Sequence, residues 1–226
     1  MPEEKVLVVI PALDAQATIG RIVSEAREVL SDVLVVDDGS SDGTGQQARA
    51  AGATVLRHEI NQGKGAALTT AFEWALERGY DAVITLDADG QHLPAEIPRF
   101  IEQWQTEGSD LIIGSRRHLF AGMVRRRRAA NVFSANAISF AAGRKVDDPQ
   151  SGFRLYSSRL LRNVKLEGTR FDAESEVIVR AGRGGFKITS IPIALAFVDG
   201  LQTSHYRALL DTLRITWRVL KTRIEN

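Results

Sequence analysis

The chain predicts an α/β fold with a mainly parallel central sheet and helices on both faces. Short apolar, β-branched runs alternate with stretches whose apolar residues recur at helical spacing, and the loops between them are short. The runs are also continuously apolar, the mark of strands covered on both sides. With 226 residues, 44% hydrophobic and 25% charged, the chain can fill one such domain or two closely packed halves.

The first predicted strand is Val6–Ile10, which stops at Pro11. Ala12, Leu13 and Asp14 lead into a helix predicted to begin near Thr18, with Ile19, Ile22, Val23, Ala26 and Val29–Leu30 on its apolar face. Val33–Val36 is the second strand, ended by Asp37-Asp38-Gly39-Ser40-Ser41-Asp42-Gly43-Thr44. Asp42 has the chemistry of a helix cap for the helix expected over Gln46–Ala51. Thr54–Leu56 is strand three. Asn61-Gln62-Gly63-Lys64-Gly65 then opens a helix running through Leu76, with Asn61 as the expected cap and Lys64 as a solvated cation, since the upstream glycine of a phosphate loop is missing. Val83–Leu86 is strand four.

Strand four breaks into Asp87-Ala88-Asp89-Gly90-Gln91. Residues two apart in an extended segment point the same way, so Asp87, Asp89 and Gln91 can present oxygen donors along one side, and Gly90 lets the backbone turn. Such donors suit a hard ion, Mg²⁺ or Mn²⁺, that shares its coordination with substrate phosphates. Taken alone, the stretch reads equally as a strand-end turn with solvated acids. Its position decides the matter. Ligands of parallel sheets bind beyond the carboxyl ends of the strands, where Pro11–Leu13, Asp37–Asp38 and Asp87–Asp89 all fall.

Bulk properties narrow the classes further. Basic and acidic residues number 29 and 28, a net charge of +1, which gives no electrostatic footprint for nucleic acid. There is no cysteine, so disulfides and thiolate chemistry are excluded. The Val6–Ile10 run is too short for a signal segment, and no run approaches the ~18 apolar residues of a membrane span. The expectation is a cytoplasmic protein able to touch a membrane surface.

The ordered motifs resemble a family 2 glycosyltransferase of the GT-A nucleotide-sugar-binding fold, closest to the polyprenyl-phosphate (dolichyl-phosphate mannose synthase-like) branch. The matching pieces are Val9–Asp14, Val35–Thr44, Asn61–Leu68, Leu86–His92, Gly114–Arg116 and Asp148–Arg154. Where the family usually has an aromatic, Asn and Glu, this chain has Leu13, Asp14 and Ala15, which leaves uracil and guanine both open. The resemblance implies a nucleotide-sugar site at Pro11, Ala12, Leu13, Asp14, Val36, Asp38, Asp87 and Ala88. It gives Asp38 the base, and Asp89 with Gln91 and Asp87 the metal.

Past Gly114-Ser115-Arg116 the chain turns basic. Arg116-Arg117-His118 and Arg125–Arg128 bracket Leu119–Val124, either a solvated face or a site for an anionic acceptor on an anionic membrane surface. Ala129–Ala142 suits an amphipathic or core helix, and Arg127, Arg128 and Asn131 resemble the branch's acceptor-side helix. Asp147–Arg154 reads as a turn into a strand over Phe153–Tyr156, with Arg154 either on phosphate or paired to Asp147 or Asp148. Phe171–Glu176 opens a helix through Ala181, and Lys187–Ile193 is the last strand. Thr203–Arg207 resembles the branch's acceptor motif, with Ser204, His205 and Arg207 on phosphate. A final helix carries Leu209, Leu213, Trp217, Leu220 and Ile224 beside a basic stripe.

These readings converge on one expected domain over residues 1–226, about 1–116 for the nucleotide-sugar and about 117–226 for the acceptor. The expected reaction is inverting, metal-dependent transfer of a hexose from an NDP-sugar to polyprenyl phosphate. Asp89, Arg116, Arg127, Arg128, Ser204, His205 and Arg207 are the catalytic candidates. A hydroxyl acceptor with Asp172 or Glu174 as base is the alternative; a nucleotidyltransferase or a non-catalytic binder fits the motifs less well. A separate membrane protein partner is compatible with the sequence.

Overall fold

The structure, a computed structural model, describes residues 4–122, 125–168 and 172–196, the side chains of 120–122, 125–128 and 130 excepted. The strands are β1 (Val6–Ala12), β2 (Val33–Asp37), β3 (Thr54–Arg57), β4 (Ala82–Thr85), β5 (Leu111–Ser115), β6 (Arg154–Ser157) and β7 (Ile188–Pro192). The helices are α1 (Gln16–Val29), α2 (Thr44–Ala50), α3 (Lys64–Glu77), α4 (Ile97–Glu107), α5 (Arg125–Ala142), α6 (Ser158–Asn163) and α7 (Asp172–Arg183). Among the described residues, seven strands form one sheet in the order β3-β2-β1-β4-β6-β5-β7. All neighbours run parallel except at β6, which is antiparallel to both β4 and β5.

The continuously apolar strands explain the layers. Along β1, Leu7 and Val9 pack with Leu68, Phe72, Ile138 and Val177 from α3, α5 and α7. Val6, Val8 and Ile10 pack on the opposite face with Ile19, Ile22, Ile97 and Phe100 from α1 and α4. The period of two thus sends alternate residues into two apolar layers.

Strand β1 runs through Pro11 to Ala12, two residues beyond the expected last residue, Ile10. Its pairing with β4 ends at Val9, while its pairing with β2 continues through Ala12 opposite Asp37, so the missing Pro11 N–H is placed where the β4 ladder has finished. Helix α1 begins two residues before Thr18 because the neighbouring loop caps it: Ala15 N–H donates to Thr44 Oγ1 (2.7 Å) and Gln16 N–H to Asp42 Oδ2 (3.1 Å). Asp42 Oδ1 also accepts the Thr44 N–H (2.9 Å), so one carboxylate serves the first turns of α1 and α2. Burial works against the Asp42 charge, but the hydrogen bond from the Thr44 hydroxyl, followed by these backbone N–H groups, brings its pKa below the ordinary value.

Two expectations are overturned. Helix α3 is not capped by the Asn61 side chain; Gly63, with φ 99°, takes the cap position without a side-chain bond. Arg154 pairs with neither acid and is fully buried. It donates instead to the carbonyls of Ser151 (2.7 Å), Glu174 (2.7 Å) and Pro149 (2.6 Å), tying the 149–151 turn to α7.

Candidate active site

The carboxyl ends of β1, β2 and β4 lie side by side, and α3 starts across from them. Lys64, the first residue of α3, places its ammonium 2.6 Å from Asp87 Oδ1 and 3.0 Å from Glu174 Oε2. The side chain is only 17% exposed, which overturns the expectation of a solvated lysine. Glu174 stands in the first turn of α7 and is itself buried, so Lys64 joins the β4 turn to the distal half of the chain. Glu174 Oε1 has no hydrogen-bond partner among the described residues.

The turn after β4 is braced on several sides. Gly90 adopts φ 78°, Asp89 Oδ1 accepts the Gln91 N–H (2.9 Å), and Thr18 Oγ1 donates to the Ala88 carbonyl (2.6 Å). His92 is buried against Phe153, and its Nδ1 accepts the Asp87 N–H (3.2 Å). That bond places the His92 proton on Nε2. Past β7, Ala196 N–H donates to the Gln91 carbonyl (2.9 Å), so the chain entering its last segment runs along this turn. Gly152 lies directly behind Asp87: a Cβ there would come within 2.4 to 2.6 Å of the carboxylate.

The charges of the cluster are sorted by its environment. Burial would raise the Asp87 carboxyl, but the Lys64 ammonium, then His92 and Arg116, hold it well below the carboxylate range. Asp89 is raised, first by burial and then by the charge of Asp87. Burial opposes the Lys64 cation, yet Asp87 and Glu174 keep its pKa above that of an ordinary lysine. His92 is pushed down to about 4 by burial, with Arg116 and Lys64 adding and Asp87 opposing. His92 is therefore neutral near pH 7, as its acceptor role requires.

On the β1–β2 side, Pro11, Ala12 and Val36 are buried in the strand ends and Leu13 is half-buried at the rim. Asp14 takes φ 48°, and its carboxylate accepts the Ser41 N–H (2.8 Å), fastening the β1 loop to the β2 loop. Asp38 is buried, and both of its oxygens are engaged. Oδ1 meets His58 Nδ1 (2.7 Å) and accepts the Gln62 N–H (3.0 Å), while Oδ2 accepts the Gly63 N–H (2.7 Å). His58 was not among the sequence candidates.

On the distal side, Arg116 forms a two-pronged pair with buried Asp148, Nε to Oδ2 at 2.7 Å and Nη2 to Oδ1 at 3.0 Å. An open cavity of about 360 Å³ lies beside it, lined by Ser115, Arg117, His118, Asp147, Ser190 and Pro192. Arg127 and Arg128 fall in the first turn of α5. Ser204, His205 and Arg207 lie outside the described residues.

Among the described residues no three carboxylate or imidazole groups converge on one metal position. Asp87, Asp89 and Gln91 nonetheless offer oxygen donors on one turn, and Asp89 Oδ2 accepts no hydrogen bond among the described residues. An incomplete oxygen set of this kind fits Mg²⁺ or Mn²⁺, whose coordination substrate phosphates complete.

The family model described as Glycosyl transferase family 2 matches residues 7–168. The chain is 35% identical over 204 residues to an undecaprenyl-phosphate mannosyltransferase of Micrococcus luteus, with 84% of this chain and 82% of that protein covered. Against a polyprenol monophosphomannose synthase of Mycolicibacterium smegmatis the identity is 33% over 207 residues, with 85% and 77% covered. A solved glucosyl-3-phosphoglycerate synthase of Mycobacterium tuberculosis, in complex with Mn²⁺, UDP-glucose and phosphoglyceric acid, matches with TM-score 0.74 at 21% identity over 97% of this chain and 80% of that one. The fold is therefore GT-A, as the ordered motifs implied.

Proposed function

The chain belongs to glycosyl transferase family 2, and from that premise we propose that it transfers a hexose from an NDP-sugar to a polyprenyl phosphate at the inner membrane face. The observation that carries this reading is the Asp87–Asp89 turn set opposite Lys64 at the strand ends. The names of the two polyprenyl relatives support the acceptor class. Among the described residues no helix is long and apolar enough to cross a membrane; the association proposed is peripheral, through the basic residues Arg116–Arg117 and Arg125–Arg128.

In this reading the nucleotide lies over Pro11–Asp14 and Val36, with Asp38 beneath and Asp87–Ala88 at its sugar end. Asp89 and Gln91, helped by Asp87, would hold Mg²⁺ or Mn²⁺. Such an ion, when bound, neutralises charge on the departing diphosphate. Lys64 and Arg116 add fixed positive charge to the same crevice. An oxygen of the acceptor phosphate attacks the anomeric carbon opposite the diphosphate; the new C–O bond forms as the bond to the β-phosphate oxygen breaks, and the electron pair leaves with NDP. A phosphomonoester is already anionic, its second pKa being ~6. It therefore needs positioning rather than deprotonation, the role proposed for Arg127, Arg128, Ser204, His205 and Arg207.

The test is transfer to a short-chain polyprenyl phosphate across a panel of labelled NDP-sugars, with Mg²⁺ or Mn²⁺ and then EDTA. The expected result is phosphate-linked glycolipid from one donor, lost with EDTA; donor hydrolysis with no lipid product would overturn the acceptor. His205→Ala should raise KM for the lipid more than KM for the donor. Gly152→Ala is expected to drive the Asp87 carboxylate off its position and weaken Mn²⁺ binding by at least ~10-fold, read by electron paramagnetic resonance. Unchanged Mn²⁺ affinity would remove Asp87 from the metal site.

A second reading rests on Glu174 Oε1, buried without a hydrogen-bond partner among the described residues. A carboxylate so placed can accept a proton from a hydroxyl acceptor. Turnover of a sugar or protein hydroxyl acceptor, lost in Glu174→Gln, would favour it, and transfer to phosphate alone would exclude it.

A further inference from the structure

We propose that His58 and Asp38 form a positioning unit that sets Lys64 in the donor crevice. The base assignment that the family resemblance gives to Asp38 does not account for how its carboxylate is used. This inference rests on the proposed donor site and adds to it a residue, His58, that the mechanism above leaves idle.

Three independent features grip the loop from His58 to Gly63. At its start, His58 N–H donates to the Asp37 carbonyl (2.9 Å) at the end of β2. In its middle, the chain passes so close over Gly39 that a Cβ there would lie 2.6 Å from Asn61 N and 2.7 Å from Ile60 C. At its end, the Asp38 carboxylate receives the N–H groups of Gln62 and Gly63, the two residues before Lys64. His58 closes the arrangement. Its Nδ1 lies 2.7 Å from Asp38 Oδ1 and its Nε2 3.0 Å from Thr70 Oγ1, two turns into α3. The imidazole side chain is 10% exposed.

The imidazole therefore ties the carboxylate to the same helix whose first residue is Lys64. Turning Asp38 releases the Gln62 and Gly63 N–H groups together, and the Lys64 backbone is the next atom group along. An ammonium held 2.6 Å from one carboxylate and 3.0 Å from another tolerates little displacement. A ligand felt through Lys64 is a diphosphate, whereas a ligand felt through a base-reading Asp38 is a nucleobase. The two roles are therefore separable by experiment.

The experiment measures binding of inorganic pyrophosphate, UDP and GDP, each with Mg²⁺, to the full-length wild type, His58→Ala, His58→Asn and Lys64→Met. Thermal melts confirm folding. In His58→Ala, pyrophosphate and whichever nucleotide the wild type binds should weaken by the same factor, about 10- to 100-fold. Asn supplies an N–H near the position of Nδ1 and should restore most of the loss. The His58→Ala/Lys64→Met double variant should bind no worse than Lys64→Met alone, because both act through one group. Nucleotide weakened with pyrophosphate unchanged would return Asp38 to the base and overturn the proposal, as would additive losses in the double variant. Failure of the donor-site reading itself is visible separately, as a wild type that binds neither UDP nor GDP with Mg²⁺.

Discussion

Replacing Asp89 by Asn is expected to leave the fold intact and cut hexose transfer by about 100- to 1,000-fold, the scale seen when one group stabilising a transition-state charge is removed. The substitution is close to isosteric. The amide oxygen can still accept the Gln91 N–H, the bond that shapes the turn, so only the charge is lost. Asp89→Ala, which removes both, should abolish transfer. Rates with labelled donor and Mn²⁺ titrations followed by electron paramagnetic resonance are the measurements. A fully active Asp89→Ala enzyme would end the role given to this residue.

Lys64→Met should have the other large effect, on stability as well as turnover. It leaves Asp87 and Glu174 facing one cavity without their shared cation, and removing one partner of a buried ion pair typically costs about 3 kcal/mol or more. The lower end applies, because the Asp87 side chain keeps 28% of its surface in solvent. Urea unfolding should show an earlier midpoint. Adding Glu174→Gln should recover part of the loss, since one of the two orphaned charges is then gone. A midpoint unchanged from wild type would mean that water replaces the ammonium at no cost.

Much of this architecture was legible because the strands are covered on both faces and therefore read as unbroken apolar runs. The strands up to β4 were found within about two residues at either end, the margin within which such boundaries scatter. The sequence reading assigns no element to the segment holding α4 and β5, although Ile97, Phe100, Ile101 and Trp104 have helical spacing and Leu111–Ile113 is an apolar run. The direction of β6 carries no sequence signal, because its pairing partners lie about 70 and 40 residues away. In the site, the acid turn was visible from residue type and spacing alone. The burial of Lys64 carries no sequence signal because its partners come from α7 and the β4 turn, and a Gly-Lys-Gly opening looks the same whether the ammonium meets water or two carboxylates. Arg154 failed for a related reason: backbone carbonyls leave no trace in residue identity. His58, a lone histidine in a loop, offered no signal until Asp38 and Thr70 stood on either side of it.

The placement of β6 between β4 and β5 bears on how the chain is made. A ribosome delivers β1 to β4 as a parallel four-stranded unit whose β4 edge stays bare until Arg154 emerges, about 70 residues after Thr85. At ~5–20 residues per second, that interval is roughly 3 to 14 s. An uncovered apolar edge is a template for pairing with other chains. Fragments that end before β6 should therefore precipitate during expression, and a fragment meant to isolate the nucleotide-binding part should extend through Ser157.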